Sequence, residues 1–236
     1  MLDEVLLYDH SDSPFCLKAR ICLQVKEVPF RRVTVTVRRR RELLRLDPLG
    51  KVPVLVHGSD VVPDSSAIAR YLETRYPRPA LIPIDPAARA YAALVEEWAD
   101  EALYFLVAAF KWLNPANRDA ARANTVTELE AGVLRPFVAR RLFRLVAKRY
   151  RVWGYTAASL PVLETRMREN LATLEALLAG KPYLLGRAPT LADIATFAQL
   201  TWMERYAEAR LLDDVPEVRA WLARLSDVPA IAAALA

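Results

Sequence analysis

The segment Ser13-Pro14-Phe15-Cys16 lies between the apolar run Val5-Leu6-Leu7-Tyr8 and an amphipathic stretch starting near Leu17, so it reads as a strand-to-helix turn. A dithiol oxidoreductase carries cysteine at both ends of such a turn, because one thiolate attacks and the other resolves the mixed disulfide. Here the first position is serine, which forms no disulfide but can donate a hydrogen bond to the thiolate of a bound molecule. The helix start adds backbone N–H groups and the positive end of the helix dipole. The same residues also read as a plain N-cap, with proline as the first helical residue. Both readings stay open on this tetrapeptide. Ser11 is a second hydroxyl nearby, and Cys16 reads as a small buried residue.

Two further turns bear polar groups at places that could meet a ligand. Gly50-Lys51-Val52-Pro53-Val54-Leu55 puts a proline at the start of an apolar run, where its missing N–H costs no ladder bond. Val62-Pro63-Asp64-Ser65-Ser66-Ala67 then precedes a helical pattern in which Ile68, Tyr71 and Leu72 recur at three- and four-residue spacing. Late in the chain, Thr190-Leu191-Ala192-Asp193 is a Thr-x-x-Asp capping pattern before another apolar helix.

In this order and spacing the motifs resemble the serine-type cytosolic glutathione transferases. The resemblance covers residues 3–76, 86–112 and 160–226, and is weakest over 113–160. It implies an α/β thioredoxin-like N-terminal domain at residues 1–76, a linker at 77–85 and an all-α helical domain at 86–236. It implies glutathione as cosubstrate, without a metal, and attack of its thiolate on a small apolar electrophile. Ser13 takes the place of the catalytic serine. Pro53 would be cis, with the Val52 backbone pairing to the cysteinyl unit; Asp64 would receive the γ-glutamyl ammonium, Ser65 its carboxylate and Lys51 the glycyl carboxylate. A homodimer is implied as well. Many relatives have glutamate where Asp64 stands, so the acid here is one methylene shorter. Two other readings remain: a non-catalytic interaction module with the same fold, and a glutaredoxin-like reductase relying on Cys16.

The elements that must position these residues follow from periodicity. We read strand 4–8, helix 14–26, strand 30–36, a short helix near 40–46, strands 53–56 and 60–62, and helix 66–75. Prolines from Pro77 to Pro86 then interrupt regular structure. Helical patterns follow over 87–112, 119–150, 160–179, 190–206 and 215–225.

Composition narrows the class. The 236 residues are 54% hydrophobic, enough for a sizeable core. Two cysteines six residues apart make neither a disulfide framework nor a metal pattern, and His10 and His57, the only histidines, read as ordinary surface or edge residues. The N-terminus does not read as a signal peptide, and no apolar stretch reaches about 18 residues. The expectation is a cytoplasmic protein, bacterial by its arginine and alanine bias, acting on neither membrane nor nucleic acid. The formal charge of +5 concentrates in Arg38-Arg39-Arg40-Arg41 and in residues 135–151, which hold seven basic residues and no acidic one. The second run interleaves Phe137, Val138, Leu142, Phe143, Leu145 and Val146 at helical spacing, so its arginines read mainly as the wet side of a packed helix. The first run is near the proposed cofactor site in sequence, where positive charge would favour a thiolate. Tyr104, Phe105, Phe110, Trp112, Trp153, Tyr155, Trp202 and Tyr206 are candidates for an apolar pocket wall or for core.

Overall fold

The computed structural model describes residues 4–126 and 135–236. Part of the helical pattern expected over 119–150 lies outside these residues.

The N-terminal half contains β1 (Val5–Asp9), α1 (Pro14–Val25), β2 (Arg31–Thr34), α2 (Arg40–Leu46), β3 (Val54–His57), β4 (Asp60–Pro63) and α3 (Ser65–Arg75). The strand order is β2-β1-β3-β4, with β1 parallel to β2 and antiparallel to β3, and β3 antiparallel to β4. Leu7 pairs with Leu55 across β1 and β3, and both are fully buried. A one-residue slip would turn both out of the core, so burial fixes the register. The cis Val52–Pro53 bond precedes β3. Before it, Asp47 ties the loop by accepting from the N–H groups of Leu49 and Lys51. Gly50 sits at φ +59°, a left-handed conformation that favours glycine, while the atoms a Cβ would meet are the movable ends of Leu44 and Arg40.

The helical half begins with a nearly continuous rod: α4 (Pro86–Glu97), a π-helical turn over Trp98–Leu103, and α5 (Tyr104–Leu113). Then come α6 (Arg118–Val126), α7 (Arg135–Val152), α8 (Leu160–Leu178), α9 (Leu191–Met203), α10 (Pro216–Ser226) and α11 (Pro229–Leu235). Helix α9 is buried nearly throughout and packs on α1 and α4, which joins the two halves. Its start carries the expected capping box, Thr190 N donating to Asp193 Oδ2. Asp193 also accepts from Leu184 N and Trp221 Nε1, so one buried carboxylate anchors α9, the loop before it and α10. The proline-rich stretch is tied rather than loose. Lys26 Nζ donates to the Pro79 carbonyl, Leu81 N to Glu73, and Leu191 N to the Leu81 carbonyl.

Three sequence expectations change. His57 is buried, not surface: its Nδ1 lies 3.1 Å from the Tyr71 hydroxyl and its ring stacks on Tyr76. On α7, Phe143 and Val146 pack against the core, whereas Phe137 and Leu145 are exposed, because the helix covers the molecule with one face only. The C-terminal segment forms α11, whose Ala-rich sequence offered little periodic signal, yet Ile231 and Ala234 are buried there.

Because Asp193 holds four donors in the core, Asp193→Ala should cost about 3–5 kcal/mol, as expected for removing a buried charged acceptor and orphaning its donors. Urea unfolding monitored by circular dichroism measures it; a loss below about 1 kcal/mol, the typical worth of a cap alone, would show that the wider network adds nothing.

Candidate functional site

The cleft between the two halves holds a cavity of about 420 Å³. From the N-terminal half it is lined by Phe15, Asp47, Lys51, the cis Val52–Pro53 unit, Asp64, Ser65, Ser66 and Arg70, and from the helical rod by Glu96, Glu97, Asp100 and Glu101. The fold thus brings Lys51, Val52, Pro53, Asp64 and Ser65 into one place. Ser13 is not on this wall; it stands two residues before Phe15, which is.

The β4–α3 turn is built around Asp64. Its backbone adopts φ 77° and ψ 135°, a region normally left to glycine, and such strain persists only where surroundings enforce it. Asp64 N donates to the Pro53 carbonyl, and Asp64 Oδ1 accepts from Ser66 N and Ala67 N. The N–H groups of Ser66 and Ala67 already serve a carboxylate of the chain itself, so an arriving anion is left Ser65. The Ser65 hydroxyl is buried against the cavity and has no hydrogen-bond partner among the described residues. A buried hydroxyl of that kind is costly unless something arrives to use it.

Beneath the cavity lies a charge cluster that the sequence did not disclose. Lys18, 1% exposed, donates from Nζ to Ser66 Oγ at 2.8 Å, Glu96 Oε1 at 2.5 Å and Asp100 Oδ2 at 2.6 Å. Burial opposes its charge, but the two carboxylates together outweigh it and hold the lysine above its usual range. Asp100 is pushed up by burial, and its second oxygen, Oδ1, has no partner among the described residues. Lys18 and Asp100 are far apart in sequence, and only their placement on inward helix faces could have hinted at the contact.

Ser13 caps α1: Oγ accepts from Cys16 N at 3.3 Å, a long bond. Its predecessor Asp12 is buried and accepts from Lys111 Nζ at 2.5 Å, Trp202 Nε1 at 3.0 Å and Thr125 Oγ1 at 2.9 Å. Here burial wins, and Lys111 is held below its usual range. Tyr104 stacks on Trp202 at 5.7 Å between centroids and packs at a tilt against Phe15 at 4.7 Å, which puts an aromatic wall beside the turn. Phe105, the next residue on α5, contacts Tyr150, Trp153 and Tyr155. Among the other candidates, Phe110 is core, and Trp112 lines a different recess.

Cys16 is fully buried, and desolvation pushes its thiol far above the ordinary range. Cys22 is likewise buried and pushed up to about 12. The run Arg38 to Arg41 does not line the cleft. Arg39 pairs with Glu42 and Arg40 donates to the Gly50 carbonyl, while the basic groups on the cavity wall are Lys51 and Arg70. Among the described residues no cluster of side chains could hold a metal ion, and no helix is long and apolar enough to cross a membrane.

Comparison with known proteins places this architecture. Residues 7–80 match the family model for the glutathione S-transferase N-terminal domain, and residues 119–224 that for the C-terminal domain. The chain is 26% identical to glutathione S-transferase U19 of Arabidopsis thaliana, with all of this chain and 91% of the relative covered. It is 27% identical to maleylacetoacetate isomerase of Pseudomonas aeruginosa, over 95% of this chain and 90% of that one. Among solved structures it is similar to β-etherase LigF from Sphingobium sp. strain SYK-6, with TM-score 0.76, 25% identity and 98% of each chain covered. With both halves matched and the two-part fold in place, the chain belongs to the glutathione transferase family of enzymes.

Proposed function

We propose that the chain binds glutathione in the cleft and activates its thiol for attack on a small apolar electrophile. The observation that carries this reading is the buried, unpartnered Ser65 hydroxyl, set beside Asp64 and the cis Val52–Pro53 unit in one cavity. Ser65 donates to the γ-glutamyl carboxylate. Asp64, through the oxygen not used for capping, receives the ammonium, with Asp100 on the facing wall of the same cavity. The Val52 peptide lies just outside the paired strand, where its backbone groups are available to the cysteinyl unit. Lys51 meets the glycyl carboxylate as a point charge. Ser13 donates to the sulfur, favouring thiolate; the sulfur then bonds to the electrophilic carbon, and the displaced electron pair departs with a leaving group or, in an addition, moves to the neighbouring atom, which takes a proton from water. Phe15, Tyr104 and Trp202 offer the apolar surface beside Ser13. The proposed domain limits are 1–76 and 86–236, joined through 77–85.

Two further proposals belong to this reading. The cytoplasm is its proposed setting, supported by both cysteines being free thiols. A second copy of the chain is proposed to cover the apolar recess between α4 and α8, lined by Tyr91, Leu94, Val95, Trp98, Leu174 and Leu177, where Leu94 is 72% exposed. Leu94→Glu should then convert a particle of twice 26.6 kDa into one of 26.6 kDa by light scattering. A wild type that is already monomeric would defeat this part.

Calorimetry should detect binding of reduced glutathione, and Ser65→Ala should weaken it by about 1–3 kcal/mol. No binding at millimolar glutathione would leave the interaction-module reading in its place. Ser13→Ala should keep glutathione binding yet lose roughly 10- to 1000-fold in turnover, and the ultraviolet thiolate signal of bound glutathione should move to higher pH. A variant that is less stable but titrates and turns over like wild type would reduce Ser13 to its capping role.

The burial of Cys16 and Cys22 gives a separate check against the reductase reading. With both thiol pKa values raised, the thiolate fraction near pH 8 is negligible, so the native protein should release almost no colour from Ellman's reagent until guanidinium unfolds it. Prompt reaction of one thiol in the native state, removed by Cys16→Ser, would revive thiol exchange.

A further inference from the structure

A second recess, of about 250 Å³, lies between α6, α7 and the C-terminal end of α5, and shares no residue with the glutathione cleft. Arg118 and Arg122 reach it from α6; Arg140, Arg144 and Arg151 reach it from α7. These spacings of four, four and seven residues set the side chains on one face of each helix. Three of the seven basic residues in 135–151 thus converge with two from another helix, which a merely solvated face would not require. Trp112 and Phe143 form an aromatic floor, their rings edge-on at 4.8 Å, and the Arg122 guanidinium stands 5.7 Å from the Phe143 ring. Among the described residues no carboxylate lines the recess. Arg118, Arg140, Arg144 and Arg151 pair with no carboxylate among the described residues; Arg122 has only Asp119, at 4.0 Å and almost fully exposed.

We propose that this recess binds a small organic polyanion, a nucleoside diphosphate or a molecule of the same build, with its phosphates on the arginines and its ring against Trp112 and Phe143. Five guanidiniums that share one recess, with Asp119 their one carboxylate partner among the described residues, repel one another, and an anion with about three charges relieves that repulsion. Arginine's planar fork suits phosphate oxygens in pairs, and its flat cation over an aromatic ring leaves donors free at the edge. The walls come from two helices and enclose a concave space, which fits a compact molecule better than a flat membrane or a duplex.

Calorimetry on the full chain in about 150 mM salt with a chelator present, where surface charges are screened beyond roughly 8 Å, should show ADP binding with a dissociation constant below about 1 mM. Inorganic diphosphate should bind and compete, and adenosine alone should not. The double variant Arg140→Gln/Arg144→Gln should weaken ADP by roughly tenfold or more while keeping its melting temperature and its glutathione binding. Trp112→Leu should weaken ADP but leave diphosphate nearly unchanged. The proposal fails if neither ADP nor diphosphate binds at 5 mM, about five times the proposed limit, or if the double variant binds like wild type. It also fails if duplex DNA or phosphatidylserine vesicles bind and ADP cannot displace them, since the basic face would then serve a macromolecule.

Discussion

The buried ammonium of Lys18 is the constraint on which the cleft depends. It has three protons and three acceptors, one each from Ser66, Glu96 and Asp100. A lysine this deep costs several kcal/mol in lost hydration, which only a full set of partners offsets. Since those partners sit on α3, on α4 and in the π-helical turn, satisfying one charge on α1 fixes three other elements around it. The wider turn over Trp98–Leu103 serves the same end: Ala99 and Leu103 stay in the core while Asp100 meets Lys18 and Glu101 lines the cavity.

A second buried lysine does comparable work on the other side. Lys111 holds Asp12, and with it the turn that carries Ser13, against Trp202 and Thr125. The two lysines are equally buried yet shift in opposite directions. Lys18 faces two carboxylates, and their attraction wins; Lys111 faces one, with the Arg205 charge also near, and burial wins. The difference lies in the count of charges around each ammonium rather than in depth. Together they hold Ser65 and Ser13 on separate supports, so the spacing between those two residues is set by how α1 packs on α9 and the rod.

What the sequence disclosed was local. Alternation located each N-terminal strand to within a few residues, and α2 falls where its pattern put it, at 40–46. The caps at Ser13 and Thr190 were legible because a cap is a contact across two or three residues. The contacts that complete the site span much more chain: Asp12 meets Trp202 across 190 positions, and Lys18 meets Asp100 across 82. No periodicity encodes such a pairing. His57 was misread for a related reason. A lone histidine near a hairpin gives no sign that Tyr71 and Tyr76 from α3 will fold over it.

Net charge misled in an informative way. The chain is basic overall, yet the cleft wall carries Asp47, Asp64, Glu96, Glu97, Asp100 and Glu101 against Lys51 and Arg70. A cavity of that balance does not gather an anion by bulk attraction. In the proposed pose the cavity orients glutathione, because the carboxylates at Asp64 and Asp100 and the ammonium at Lys51 would favour opposite ends of one molecule. Reversing the tripeptide would place its glycyl carboxylate beside Asp64 and Asp100 and its ammonium beside Lys51, two like-charge meetings in a partly enclosed space where screening is weak. In that pose, selectivity for direction would come from repulsion of the wrong orientation as much as from attraction of the right one. The arginines on α6 and α7 line a separate recess and stand outside that balance.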